Sequence, residues 1–493
     1  MIALFPLPLF ISEKLHMRTL LVYLCIAILA PARGIAQTAP AQGQPWNLQQ
    51  CIEYALSHNI QVQQTRLNAD LAQANLQQSK ANVLPNLNAT AAHSYQFGRT
   101  VDRFTNTFAD GTVLSQNFFV SSNITLFAGG QNYNTIRQNQ YAVQAGQAQV
   151  AQTQNDISLN VATAYLNVLF AEEQFAVAED QVALTRTQVE RLQKLVDAGA
   201  SAKGPLLDLQ AQLAQEELTR VNSSNNVTMA YLSLTQLMNL DSTEGFRIVK
   251  PDLPMPSENI ATNSPAQIYQ TAMGTMPMIK KAQLDLRGAE RGLKIAYGAL
   301  SPRLSVQGSL GTGYSGLARD ILSTSIAGNN AIGFTSAGDI VYVPQLSYET
   351  RVTPFMDQYR NNVNRVISFQ LTVPIFNNLQ THTSITRARI QQENARLTLE
   401  QQEQQLRQQV DKAFTDAQAA LQRCKASEAA LSAAEEAFTY AQTRFEAGAI
   451  QAIDYGTAKN RVTRAKADLL QARFDYILKL KVLDFYQGKP LTF

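Results

Sequence analysis

The chain has 493 residues, enough for more than one domain, and only 16% of them are charged. Its formal net charge of +3 is small and no long basic run is present, so the composition gives no support for a nucleic-acid partner. The three cysteines, at positions 25, 51 and 424, have neither CxxC nor any other metal-ligand spacing. This spacing argues against a zinc site or a redox site.

The first 36 residues have the pattern of a signal peptide. Arg18 precedes an apolar stretch over residues 20–30, and small residues follow before position 37. The stretch has about half of the ~20 residues that a membrane-spanning helix needs, so an export signal is favoured over an anchor. We predict a cleaved signal over residues 1–36, with Met17 as an alternative start. No later run of about 18 apolar residues is present, so we expect no transmembrane helix.

The rest of the chain is an internal duplication. An offset of 217 residues aligns the segment that begins at Cys51 with the one that begins at Ile268, and an offset of 249 aligns the later parts. The change of 32 residues between the offsets predicts an insertion of that length in the second copy. We predict a first repeat over residues 47–240, a Pro-rich linker over 241–264, a second repeat over 265–488 and a tail over 489–493.

Each copy is expected to contain a helix, a strand, a loop, a second strand, a very long helix, a corner and a final helix. The strands show the two-residue alternation of apolar and polar side chains. They have the length of strands that cross a bilayer at a tilt, although a half-buried soluble sheet would alternate in the same way. The predicted strands cover residues 87–97, 118–126, 304–314 and 367–373.

The two loops between paired strands differ in length. Residues 98–116 join the first pair, whereas residues 315–364 join the second pair, carry the insertion and are rich in Gly, Ser and Asn. The longer segment could plug or shield the outer end of the sheet, or form a flexible cap. The sequence leaves these alternatives open.

Two very long helices are the stronger signal. Between Leu379 and Ala447 there is no Gly or Pro, and between Gln131 and Val196 only Gly146 interrupts. At ~1.5 Å per residue each helix would be about 100 Å long. Twelve of the fourteen heptad positions from residue 399 to 445 are apolar, as are twelve of the fourteen matching positions from 150 to 196. This period predicts coiled-coil packing with close approach of alanine-rich faces.

Four amphipathic strands cannot close a barrel, and an open sheet edge cannot face lipid because its backbone groups would lack hydrogen-bond partners. Closure therefore requires further copies of the chain: two would give eight strands and three would give twelve. The polar face of the strands suits a wet lumen and the apolar face suits lipid.

These features together resemble the TolC family of outer-membrane efflux proteins. The resemblance rests on the duplicated first helices running into "LPNL" and "SPRL", on the strand pairs and on the two "AGA" corners, and it covers residues 47–488. It implies a mostly α-helical fold with a β-barrel part, in which a homotrimer forms a twelve-stranded barrel in outer-membrane lipid and a coiled-coil tunnel in the periplasm. It also implies a passive duct for small molecules, such as drugs, toxic compounds or metal ions. Its partners would be a periplasmic adaptor protein and an inner-membrane transporter, and it would need no cofactor.

The resemblance also assigns candidate site residues. The corners would be helix–turn–helix tips that contact the adaptor, through Asp197, Ala198, Gly199, Ala200, Glu446, Ala447, Gly448 and Ala449. Asp454 matches an aspartate that forms a periplasmic gate in family members, whereas Thr457 departs from a second aspartate found in some of them. Two plainer interpretations stay open: the glycines only make tight turns, and Asp454 is an ordinary acid in the first turn of a helix.

An enzyme is not favoured. His58, His93 and His382 are widely separated and have no metal-site or catalytic-triad spacing. Two non-enzymatic alternatives to small-molecule export are a duct that secretes polypeptides and a periplasmic coiled-coil scaffold without a pore. The four strands of bilayer length argue against the scaffold.

Overall fold

The computed structural model of the protein describes residues 45–251, 264–447 and 449–491. The predicted signal peptide, half of the predicted linker and Gly448 lie outside these described residues. The described helices are α1 (Leu48–His58), α2 (Ile60–Ala81), α3 (Gln131–Asp197), α4 (Lys203–Met238), α5 (Pro265–Thr275), α6 (Pro277–Gly298), α7 (Phe355–Asn361), α8 (Gln380–Glu446) and α9 (Ala452–Tyr486). The described strands are β1 (Asn88–Val101), β2 (Phe108–Ala128), β3 (Arg303–Ser315), β4 (Arg319–Phe334), β5 (Ile340–Val352) and β6 (Asn364–Thr372).

The first helix of each copy is divided in two, where the sequence predicts one helix. Asn59 separates α1 from α2: its backbone N–H donates to the Ala55 carbonyl at 2.8 Å, and its side chain accepts from the Gln61 N–H at 2.9 Å. One asparagine thus ends a helix and caps the next. In the second copy the division falls at Met276, which has extended backbone because Pro277 follows it.

The four predicted strands form one antiparallel sheet in the order β1-β2-β3-β6. Strands β1 and β2 pair from Asn88↔Ser121 to Val101↔Phe108, so their connection is residues 102–107 rather than the predicted 98–116. Strands β2 and β3 join the two copies of the duplication side by side. Within the described residues, β1 and β6 are the edges of this sheet and each has one side unpaired.

The insertion in the second copy has regular structure. The sequence predicts a Gly/Ser/Asn-rich loop over residues 315–364, but the chain forms the antiparallel hairpin β4–β5 and the short helix α7 there. The prediction missed β4 because three of its residues have no partner on β5, which breaks the two-residue alternation of that strand.

The two longest helices, α3 and α8, have 67 residues each, which gives a length of about 100 Å at ~1.5 Å per residue. Every predicted heptad position from 150 to 196 and from 399 to 445 is buried or half-buried, which confirms the coiled-coil seams. Helix α3 packs against α2, α4 and α6, and α8 packs against α6 and α9. Among the described residues, none of the helices combines the length and the apolar composition of a membrane-spanning segment.

Two apolar clusters lie along these helices, one in each copy. The first surrounds Tyr165, Leu234 and Met238, where α1 and α4 pack against α3. The second surrounds Ile279, Leu406 and Leu483, where α5 and α9 meet α8. The short helices therefore pack against the middle of the long ones, and the C-terminal ends of α3 and α8 pack as pairs with α4 and α9.

The turns that lead from the sheet into α3 and α8 have the same left-handed backbone in both copies of the duplication. Gly129 and Gly130 have φ of 57° and 73°, and the matching Asn378 and Leu379 have 52° and 62°.

A residue with a Cβ destabilises the folded chain by about 1–2 kcal/mol when it adopts this left-handed conformation. Because glycine also gains freedom in the unfolded chain, Leu379→Gly should raise the free energy of unfolding by only about 0.5–1 kcal/mol. Guanidinium unfolding followed by helical circular dichroism would measure the change, and Leu379→Ala, which keeps a Cβ, should show no gain.

Candidate functional site: the paired helix tips

The first tip is a hydrogen-bonded corner between α3 and α4. Gly199 has φ of +71°, the left-handed conformation that glycine adopts without steric cost. Its N–H donates to the Val196 carbonyl at 3.0 Å, and the Ala200 N–H donates to the Leu195 carbonyl at 2.8 Å. These two bonds are those of a Schellman motif, which satisfies the last carbonyls of the helix. Gly199 therefore ends α3 in the left-handed conformation.

The second tip, between α8 and α9, has a matching bond. The Ala449 N–H donates to the Arg444 carbonyl at 2.8 Å, the counterpart of the Ala200 bond in the first tip. Gly448, predicted to take the role of Gly199, lies outside the described residues. The duplicated sequence thus produces a duplicated corner.

The acid at each tip is held in the same way. The Gln193 side chain donates to Asp197 at 2.8 Å, and Gln442 donates to Glu446 at 3.2 Å, again 249 residues apart. All eight predicted tip residues except Gly448 are described, and all of those are exposed. The tips therefore present two acids and a small apolar surface to solvent.

The two tips lie at the same end of the molecule and share a cavity. This cavity of about 170 Å³ is lined from both helix pairs, by Leu195 and Leu209 on one side and Phe445 and Glu446 on the other. Tyr455 forms its floor: its ring stacks on Phe445 at 4.7 Å between centroids, and its hydroxyl accepts a hydrogen bond from the Gln188 side chain. Burial raises the pKa of Tyr455, so the phenol is neutral.

The sequence analysis did not find Tyr455 or Gln188. The position of Tyr455 directly after the candidate gate Asp454 could have drawn attention to it. Its hydrogen-bond partner Gln188, however, is 267 residues away in the chain.

Asp454 is an exposed residue in the first turn of α9. Its N–H donates to the Gln451 carbonyl at 3.1 Å, and a groove beside it is lined by Tyr440, Arg444 and Gln451. A single chain contributes only one Asp454 carboxylate to this end, whereas a gate formed by a ring of carboxylates needs several. The gate role therefore remains a prediction that depends on other copies, and the position fits the plainer first-turn interpretation as well.

A buried polar cluster ties the two helix pairs together above the tips. Lys459 on α9 is only 2% exposed, and its ammonium lies 3.4 Å from Glu216 on α4. It also donates to the Thr185 hydroxyl on α3, and Glu216 accepts from Gln212 at 2.9 Å. Burial lowers the pKa of Lys459, and the charge of Glu216 opposes that shift. The cluster joins three helices from both halves of the duplication.

The residues 51–240 and 268–488 match the sequence profile of the family described as outer membrane efflux protein. The two matched segments cover both copies of the duplication and include both tips. The chain belongs to the outer membrane efflux protein family. No curated protein matches the sequence.

Several solved structures have the same fold as this efflux protein. CusC superposes with a TM-score of 0.72 at 16% identity, over 90% of this chain and 92% of that one. VceC from Vibrio cholerae gives 0.70 at 17% identity, over 90% and 96%. The open state of MtrE from Neisseria gonorrhoeae gives 0.68 at 19% identity, over 90% and 89%. At these identities the likeness establishes the fold.

Family membership confirms the main predictions from the sequence. The protein is an outer-membrane efflux channel whose helical part lies in the periplasm. Its fold is mostly α-helical with a barrel sheet, and it is internally duplicated. A channel family also agrees with the prediction that the chain is not an enzyme.

Proposed function

We propose that three copies of this chain close a twelve-stranded barrel that continues as one helical tunnel. The supporting observation is the four-stranded sheet, whose edge strands β1 and β6 each leave one side unpaired within the described chain. In lipid those backbone groups need partners, and pairing β6 of one copy with β1 of the next supplies them. Large side chains such as Phe97, Ile367 and Phe369 are exposed on these edge strands, which suits a lipid-facing surface.

The paired tips are the surface proposed to contact a periplasmic adaptor, which would connect the duct to an inner-membrane transporter. Their support is geometric: both corners lie at one end, share the hydrogen bond that Ala200 and Ala449 donate, and are exposed in their described residues. A trimer would present six such corners around one entrance. The duct itself would be passive and would carry small molecules, with energy supplied by the transporter.

The mass of the native complex in detergent tests the proposed assembly. Three chains per complex would support the shared barrel. A monomer or dimer would leave four or eight strands and would overturn the proposal of a common twelve-stranded duct.

Asp454 is proposed to form a ring of carboxylates at the tunnel entrance. Three such groups attract cations, so divalent cations should block the single-channel current from the periplasmic side. Asp454→Asn should raise the half-blocking concentration about tenfold, equivalent to ~1.4 kcal/mol of lost attraction.

The matched control is Asp468→Asn, which removes the same charge from an exposed position two heptads along α9, about 21 Å away. It should leave the block nearly unchanged. Equal effects of the two substitutions would remove the gate assignment from Asp454.

A further inference from the structure

The hairpin β4–β5 has one face that is largely apolar along its whole length, and an opposite face that is polar except near the turn, where Val341 and Val343 lie. On β5, the side chains of Tyr342, Leu346 and Tyr348 alternate with Gln345, Ser347 and Glu349, so the two sets lie on opposite faces. Direct pairing places Phe334 opposite Ile340 and Ile326 opposite Leu346 on the apolar face. The other face has an ion pair between Asp320 and Arg351 at 3.6 Å and a hydrogen bond between Ser323 and Glu349 at 3.0 Å.

Three evenly spaced bulges preserve this face along β4. The register shifts by one residue between Ile321 and Ser323, and again five and ten residues later. At each shift two neighbouring apolar residues oppose one residue of β5, and a bulge turns both toward the same side. The pairs are Ile321 and Leu322, Ile326 and Ala327, and Ala331 and Ile332. Successive bulges are thus five residues apart on β4, and the residues of β5 that they face are four residues apart.

This apolar face is uncovered in the single chain. Ile326 is 67% exposed, Phe334 74% and Leu346 47%, and neither strand packs broadly against another helix or strand of the described chain. An isolated two-stranded hairpin is marginally stable in water, and a contiguous exposed apolar surface marks an interaction site.

The base of the hairpin is fixed to the sheet. In α7, the Gln358 side chain donates to the carbonyls of Ser315 and Thr353, both at 2.9 Å, and accepts from the Ser315 N–H at 2.8 Å. The Ser315 hydroxyl donates to Asp102, whose carboxylate also accepts from the N–H groups of the β1–β2 turn. The sheet therefore sets where the hairpin starts.

That starting point lies beside the seam between copies. The hairpin leaves from β3 and returns through α7 to β6, the edge strand that has to pair with the next copy. We propose that the three hairpins of a trimer pack their apolar faces against one another around the symmetry axis and form a cap over the outer mouth of the barrel. This inference rests on the proposed trimer.

The charge distribution favours other copies of the chain over lipid as the occupant. A surface that binds anionic lipid places cationic side chains beside the apolar ones. Here Asp320, Glu349 and Arg351 lie on the opposite face, and only Arg319, at the base, shares the apolar one. Mutual contact of three identical apolar faces would cover all of them at once.

Cysteine cross-linking in native outer membranes tests the cap. Leu346→Cys places a thiol at the centre of the apolar face, and Ser347→Cys is the matched control on the polar face. The described native cysteines, Cys51 and Cys424, are buried, and burial raises the pKa of both thiols, to about 12 for Cys51. With a short bismaleimide, Leu346→Cys should give about tenfold more covalent dimer than Ser347→Cys, because the local thiol concentration is higher.

Three further measurements distinguish the possible outcomes. The mass of each variant complex shows whether three chains are present, so a trimer in which Leu346→Cys forms no dimer overturns the cap and leaves the proposed duct standing. An environment-sensitive thiol probe at position 346 that is quenched by brominated lipid would overturn the cap in favour of lipid contact. Rapid labelling of Leu346→Cys by a water-soluble maleimide would also overturn it, since the face would then be open to solvent.

Discussion

Glu216→Gln should destabilise the helical tunnel by about 3–5 kcal/mol, because Lys459 would remain buried without its carboxylate. The ammonium of Lys459 lies 3.4 Å from Glu216, and their side chains are only 3% and 12% exposed. Guanidinium unfolding, followed by the loss of the helical circular dichroism signal, would measure the change.

The neighbouring residue provides a matched control. Glu217 forms an ion pair with Arg186 at 2.9 Å, but both side chains are about half exposed. Glu217→Gln should therefore cost less than about 1 kcal/mol. Equal costs at positions 216 and 217 would show that the cluster is solvated and does not hold the helices together.

The direction of the pH dependence follows from the lysine. Burial lowers the pKa of Lys459 in the folded chain below its unfolded value, so the folded state binds this proton less tightly. The cost of burying the charge is present at neutral pH and decreases as pH rises through the folded pKa. Glu216→Gln should therefore lose less stability under alkaline conditions, and adding Lys459→Met should restore most of the loss.

The second large effect is expected at the tips. The double variant Ala200→Lys and Ala449→Lys places a long cationic side chain on each exposed corner. If these corners dock an adaptor, the substitutions should lower efflux at least about tenfold, equivalent to ~1.4 kcal/mol or more of lost binding. The measurement is the resistance of cells to an exported compound, with the amount of channel in the outer membrane determined in parallel.

Ala176→Lys is the control for the added charge. Ala176 is exposed on α3, and its counterpart in the second copy is Lys425, so the fold already accepts lysine at this heptad position. This variant should support normal efflux. Normal efflux by the double tip variant, at an unchanged channel level, would show that the corners make no essential contact.

Much of the candidate site could be predicted because it depends on residues that are close together in the sequence. The corner at Gly199 follows from an Ala-Gly-Ala segment at the end of a helical pattern, and its hydrogen bonds span six residues. The polar cluster could not be predicted in this way. Lys459 meets Glu216 and Thr185 from positions 243 and 274 residues away, and only the packing of α9 against α3 and α4 brings them together.

The sequence by itself determined the duplication, the four alternating strands and the two 67-residue helices, because each is a periodic pattern that local geometry converts directly into structure. Tertiary structure decided what these elements meet. It placed Tyr455 under the shared cavity, buried Lys459, and revealed a hairpin where the regular bulges of β4 conceal the strand alternation. These features depend on contacts between distant segments, which a one-dimensional pattern does not specify.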